Sequence, residues 1–121
     1  MKILYVEDNK INAVVMDKML SKNACDVITV ANASTALQEV SADFFDLILV
    51  DINLGINQMD GCELLKRFRL MDPLKTKPIY AVTAYALPGD EAHFLEKGFD
   101  QYFSKPVDFE KLLNAIEAIA Q

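Results

Sequence analysis

Cysteine is scarce in this sequence: Cys25 and Cys62 are the only two among 121 residues, and they form no C-x-x-C pair. Small secreted folds that depend on disulfides carry more, so both are read as reduced thiols and the chain is expected in the cytoplasm. Basic charge is scarce as well, with 12 Lys and Arg against 18 Asp and Glu and a formal net charge of −6. That balance argues against direct nucleic-acid binding and against a polybasic membrane patch. No apolar run reaches the ~18 residues that span a bilayer, and the N-terminus lacks the layout of a signal peptide. There are four glycines and no glycine-rich loop after the first apolar run, which argues against a nucleotide or flavin cradle. Internal repeats, low-complexity stretches and linkers are absent too. What is present, 52% apolar and 25% charged residues, describes one globular domain over residues 1–121 with no room for a separate output domain.

Short apolar runs occur at 2–6, 26–30, 47–50, 78–82 and 101–103, several of them continuous rather than alternating. Continuous runs suit strands covered on both faces of a parallel sheet, and the third, the most apolar, is expected at its centre. Helical patterns lie between them. Residues 10–22 place Ile11, Val14, Val15 and Met19 on one face. Residues 33–42, capped by Asn32, turn Ala36, Leu37 and Val40 inward. Asp60-x-x-Glu63 has capping-box spacing and is followed by Leu64, Leu65, Phe68 and Met71. Pro88 is expected in the first turn of a fourth helix carrying Asp90 and Glu91, with Gly98 at its stop. Asp108 caps a last helix bearing Phe109, Leu112, Ile116 and Ile119. Tyr80 and Phe103 are expected to be buried, the methionines to fill core space, and the lone His93 to be an ordinary surface residue.

Five strand–helix units in strict alternation predict an α/β fold, a doubly wound five-stranded parallel sheet with helices on both faces. In such a sheet the functional groups gather at the carboxyl ends of the strands. Glu7 and Asp8 follow the first run, Asp51 the third, Thr83 the fourth, and Ser104-Lys105-Pro106 the fifth. Three carboxylates meeting at one edge repel one another unless a hard cation is shared between them. Mg²⁺ or Mn²⁺ held by Glu7, Asp8 and Asp51, with the backbone carbonyl of Asn53 in the following loop, answers that conflict. A carboxylate beside such a cation is a nucleophile toward phosphorus, and the transfer then needs mainly positioning and charge. Lys105 supplies the cationic side chain and Thr83 a hydroxyl.

Val6-Glu7-Asp8-Asn9, Asp51 at the end of an apolar strand, Met59-Asp60-Gly61, Thr83-Ala84 and Ser104-Lys105-Pro106 occur in that order along the whole chain. Together they resemble the receiver domain of two-component response regulators, and the opening is similar to receivers attached to hybrid sensor kinases. The resemblance implies the flavodoxin-like strand order 2-1-3-4-5 and phosphorylation of Asp51 by a histidine kinase or histidine phosphotransfer protein. It implies Mg²⁺ on Glu7, Asp8, Asp51 and the Asn53 carbonyl, with Thr83 and Lys105 on the phosphoryl oxygens. It also implies a cis Lys105–Pro106 bond. Tyr102 matches the family's switch aromatic, beside an output or self-association face made by the fourth helix, fifth strand and last helix. Tyr85 is a candidate to shield the phosphoryl group or to meet a partner. The segment from Asp51 to Gly61 is longer than the family's usual spacing and carries Gly55 where a proline is usual.

Two other functions remain as alternatives. A degenerate receiver could act only as a protein-interaction module, although all five active-site positions are present. An aspartate-nucleophile phosphatase would want a second Asp two residues after the nucleophile, where this chain has Asn53. The chain is therefore expected to be a signalling phosphoacceptor rather than a turnover enzyme.

Overall fold

The computed structural model describes residues 1–52, 60–84 and 87–120. Five parallel strands, β1 (Lys2–Val6), β2 (Asp26–Val30), β3 (Leu47–Asp51), β4 (Ile79–Thr83) and β5 (Gln101–Ser104), form one sheet in the order β2-β1-β3-β4-β5. Five helices alternate with them: α1 (Lys10–Ser21), α2 (Ala33–Ala42), α3 (Gly61–Arg69), α4 (Asp90–Lys97) and α5 (Phe109–Ala120). The most apolar run is the central strand, as expected, and every residue of β3 and β4 is buried.

Successive residues of a strand face opposite sides, so each buried strand feeds two cores. Leu4, Val6, Ile48, Val50, Ile79 and Ala81 meet α2, α3 and α4 on one side. Ile3, Tyr5, Leu47, Leu49, Tyr80 and Val82 meet α1 and α5 on the other. Cys25 lies in the second core and Cys62 packs against the first; both are free thiols, on opposite faces of the sheet.

Helix starts follow the sequence closely. Asn9, Asn32 and Asp60 each accept a hydrogen bond from the backbone N–H three residues on, and Asp108 does the same for Lys111. Gly98, at φ 117°, ends α4 in a left-handed conformation that favours glycine.

Three expectations need correction. Helix α1 turns Met16 and Leu20 inward, while Ile11, Val14 and Val15 are 74%, 51% and 44% exposed. This helix has two apolar stripes, and the second one joins the core formed by Ile3, Tyr5, Leu47 and Leu49. Pro88 lies in the turn ahead of α4, whose cap is Gly89, rather than in the helix. Phe103 is only half-buried because β5 is an edge strand, whereas Tyr80 on β4 is buried as expected. Met16 fills core space, Met1, Met19 and Met71 are half-buried, and Met59 falls outside the described residues. Among the described residues, no helix is long and apolar enough to cross a membrane.

Candidate acidic site

Register sets the level of the strand ends. Val6 lies opposite Val50, Asp51 opposite Val82, and Thr83 opposite Ser104. Glu7, Asp51, Thr83 and Lys105 therefore leave neighbouring strands at nearly one height, and α1 begins beside them. They converge, with Asp8 and Ala84, on an open cleft of about 210 Å³.

Within it, one carboxylate oxygen each from Glu7, Asp8 and Asp51 lies within 4.8 Å of the others. Asp8 is exposed while Glu7 and Asp51 are almost fully buried. Buried charge demands partners, and Lys105 provides one. Its Nζ donates to Glu7 Oε1 at 2.6 Å and to Asp51 Oδ2 at 3.0 Å. The cis Lys105–Pro106 peptide follows, and the Lys105 N–H donates to the Thr83 carbonyl at 2.8 Å. Thr83 itself is 1% exposed.

Two adjacent carboxylates under one ammonium cannot ionise equally. Burial, then the neighbouring Glu7, pushes the Asp51 carboxyl up to about 7. Burial pushes Glu7 the same way, but its hydrogen bonds to Asp51, Lys105 and Tyr5 outweigh that and hold it below the usual range. Burial would lower the Lys105 ammonium; Glu7 and Asp51 raise it instead. A hard divalent cation suits this group, since Mg²⁺ takes carboxylate oxygens and would replace the proton kept by Asp51.

Tyr102 lies away from the cleft. Its ring stacks on Phe94 of α4, with centroids 6.0 Å apart and planes at 15°. It borders a second, open cavity of about 360 Å³ between β5 and α5, lined also by Glu91, Asp108 and Lys111. His93 is exposed on α4 with its ring edge near Phe94. Asn53 and Tyr85, expected respectively to offer a carbonyl to the metal and to shield the phosphoryl group, lie outside the described residues.

One contact went unread in the sequence. Tyr5, counted there as part of an apolar strand, donates its buried hydroxyl to Glu7 Oε1 at 3.0 Å. The signal was the spacing: positions i and i+2 of a strand share a side.

The chain is similar to curated and structurally characterised proteins along nearly its full length. The polar-differentiation response regulator DivK of Brucella anthropi is 31% identical over 116 residues, covering 96% of this chain and 93% of that protein. A hybrid signal transduction histidine kinase M of Dictyostelium discoideum is 35% identical, and the sensor protein GacS of Pseudomonas syringae 26%. Those matches cover 97% and 95% of this chain, but only 5% of the first protein and 13% of the second. Among solved structures, a response regulator of Chloroflexus aurantiacus superposes with a TM-score of 0.88 at 27% identity, covering 98% of this chain and 95% of that one. The receiver domain of a Pseudomonas aeruginosa sensor histidine kinase, described with a magnesium ion coordinated in its active-site cleft, superposes with a TM-score of 0.87 at 31% identity. That match covers 99% of this chain and 98% of the other. The family model for the response regulator receiver domain matches residues 3–117, and the chain belongs to that family, the receiver domains of two-component response regulators.

Proposed function

We propose that residues 1–121 form one receiver domain that accepts a phosphoryl group on Asp51 from a histidine kinase or histidine phosphotransfer protein in the cytoplasm. The observation that carries this reading is the Lys105 ammonium bridging Glu7 and Asp51, with Asp8 close by, in a cleft open to solvent. An Asp51 oxygen attacks phosphorus, the bond from phosphorus to the donor's imidazole nitrogen breaks, and the imidazole leaves with that electron pair. Glu7, Asp8, Asp51 and the backbone carbonyl of Asn53 would hold Mg²⁺ or Mn²⁺, which would supply positive charge at the phosphoryl group. Lys105 pairs with one of those oxygens and Thr83 donates its hydroxyl to another. Output then passes through Tyr102 to the face made by α4, β5 and α5, which meets a partner or a second copy and not nucleic acid. Such a domain assists its own phosphorylation and dephosphorylation without being a turnover enzyme.

Beryllofluoride, a phosphoryl mimic, tests the reading without a kinase. With Mg²⁺ it is expected to shift the amide resonances of residues 7–8, 51, 83–84 and 105, and to leave Asp51→Asn unchanged. Equal shifts in native chain and variant would contradict Asp51 as acceptor.

A further inference from the structure

We infer that Tyr5 is a positioning residue of the acidic site: its buried hydroxyl holds the Glu7 carboxylate in place and leaves Lys105 able to move to the phosphoryl group. The inference rests on the metal- and phosphoryl-binding reading above. Tyr5 lies in β1 and Glu7 one residue past its end, where the Glu7 N–H still donates to the Val30 carbonyl of β2 at 2.8 Å, so the extended chain keeps the two on one side. The Tyr5 side chain is 1% exposed and packs in the core between the sheet, α1 and α5, with its hydroxyl 3.0 Å from Glu7 Oε1. That oxygen also accepts from Lys105 Nζ at 2.6 Å, while Oε2 accepts from the Asn9 N–H at 3.4 Å. The carboxylate is therefore fixed by donors on both oxygens, one of them, Tyr5, anchored in the core.

The double donation matters when Lys105 is drawn away. Glu7 is 3% exposed, and a charge so buried needs a partner throughout. With Tyr5 in place, Oε1 keeps a donor after the ammonium shifts toward phosphoryl oxygen on Asp51. A phenylalanine at position 5 would fill nearly the same space, but it would take from Oε1 the one donor anchored in the core. The lysine would then be held back and the carboxylate less well oriented for metal. Groups that orient a metal ligand from behind commonly set affinity by 10- to 100-fold.

The test is Mg²⁺ affinity, measured by calorimetry on the metal-free chain, for the native protein, Tyr5→Phe and Tyr80→Phe. Tyr80 belongs to the same core but does not line the cleft, so its variant controls for removal of a tyrosine hydroxyl elsewhere in that core. Tyr5→Phe is expected to weaken Mg²⁺ binding roughly tenfold, at the low end of such effects, with Tyr80→Phe unchanged. In a Glu7→Gln background, Tyr5→Phe should cause no further loss, because its route through the carboxylate is gone. Native affinity in Tyr5→Phe, equal losses in both tyrosine variants, or a second full loss in the Glu7→Gln background would overturn the inference. Should Tyr5→Phe not fold, the ring carbon resonance of Tyr5 in the native chain is expected to move with the Mg²⁺ titration, and a resonance that stays fixed would overturn it. Absence of Mg²⁺ binding by the native chain is a different result, which removes the underlying reading as well.

Discussion

Gly61 opens α3 with its N–H on the Ile52 carbonyl, 2.9 Å away, and this contact lays its Cα against the end of β3. A Cβ there would stand 2.8 Å from the Asp51 carbonyl oxygen and 2.8 Å from the Ile52 Cα, both backbone atoms that cannot swing aside. Gly61→Ala is therefore expected to cost about 1–3 kcal/mol, read as a lower urea midpoint. Because one of the displaced atoms is the Asp51 carbonyl oxygen, the rise in melting temperature expected with Mg²⁺ should shrink too; an unchanged midpoint would contradict the account. Asp51 itself carries a pH dependence. Its carboxyl rises from an ordinary value of ~3.9 to about 7 in the folded, metal-free chain. Between those values the folded state holds a proton that the unfolded state has lost. This contribution to stability is full at low pH and disappears as pH climbs through 7. Mg²⁺ competes with that proton and binds the folded form, so its stabilisation should be larger at pH 8 than at pH 5.5. Equal rises in melting temperature at the two values would contradict the arrangement.

At the scale of elements, two helices show what local pattern decides and what it leaves open. Helix α3 has one apolar stripe, and Leu64, Leu65 and Phe68 are buried as the spacing required. Helix α1 has two, and composition alone could not choose between them. The choice shows only in the packing, where Met16 and Leu20 join the core formed by Ile3, Tyr5, Leu47 and Leu49. The α4–β5 pair carries the proposed switch. Tyr102 and Phe94 are stacked, and Phe94 also meets Phe99 edge-on at 6.5 Å, so motion of one ring must disturb α4. Addition of beryllofluoride and Mg²⁺ is expected to shift Tyr102 and residues 90–97 along with the cleft, a population change that binding at this face would reinforce. Shifts confined to the strand ends would leave Tyr102 as a packing residue alone.

Across the whole molecule, the alternation of buried strands and helices was legible because parallel sheets bury both faces and so write continuous apolar runs. The polar residues at the ends of those runs were legible for the same reason: Glu7, Asp51, Thr83 and Lys105 each break an apolar pattern at an equivalent point. The Tyr5 hydroxyl was not, since a tyrosine in an apolar run reads as bulk until its neighbour across the pleat is known to be a buried carboxylate. The half-exposure of Phe103 was missed because an apolar residue was read as buried without regard to the edge place that the strand order 2-1-3-4-5 gives its strand. What binds the segments together functionally is the convergence of three carboxylates and one ammonium on a single open cleft. Intact-mass spectrometry after incubation with acetyl phosphate measures the consequence. The native chain should gain one phosphate with Mg²⁺ and none with chelator, and Asp51→Asn should gain none under either condition. A single phosphate persisting in Asp51→Asn, or forming equally well without a divalent cation, would contradict the account.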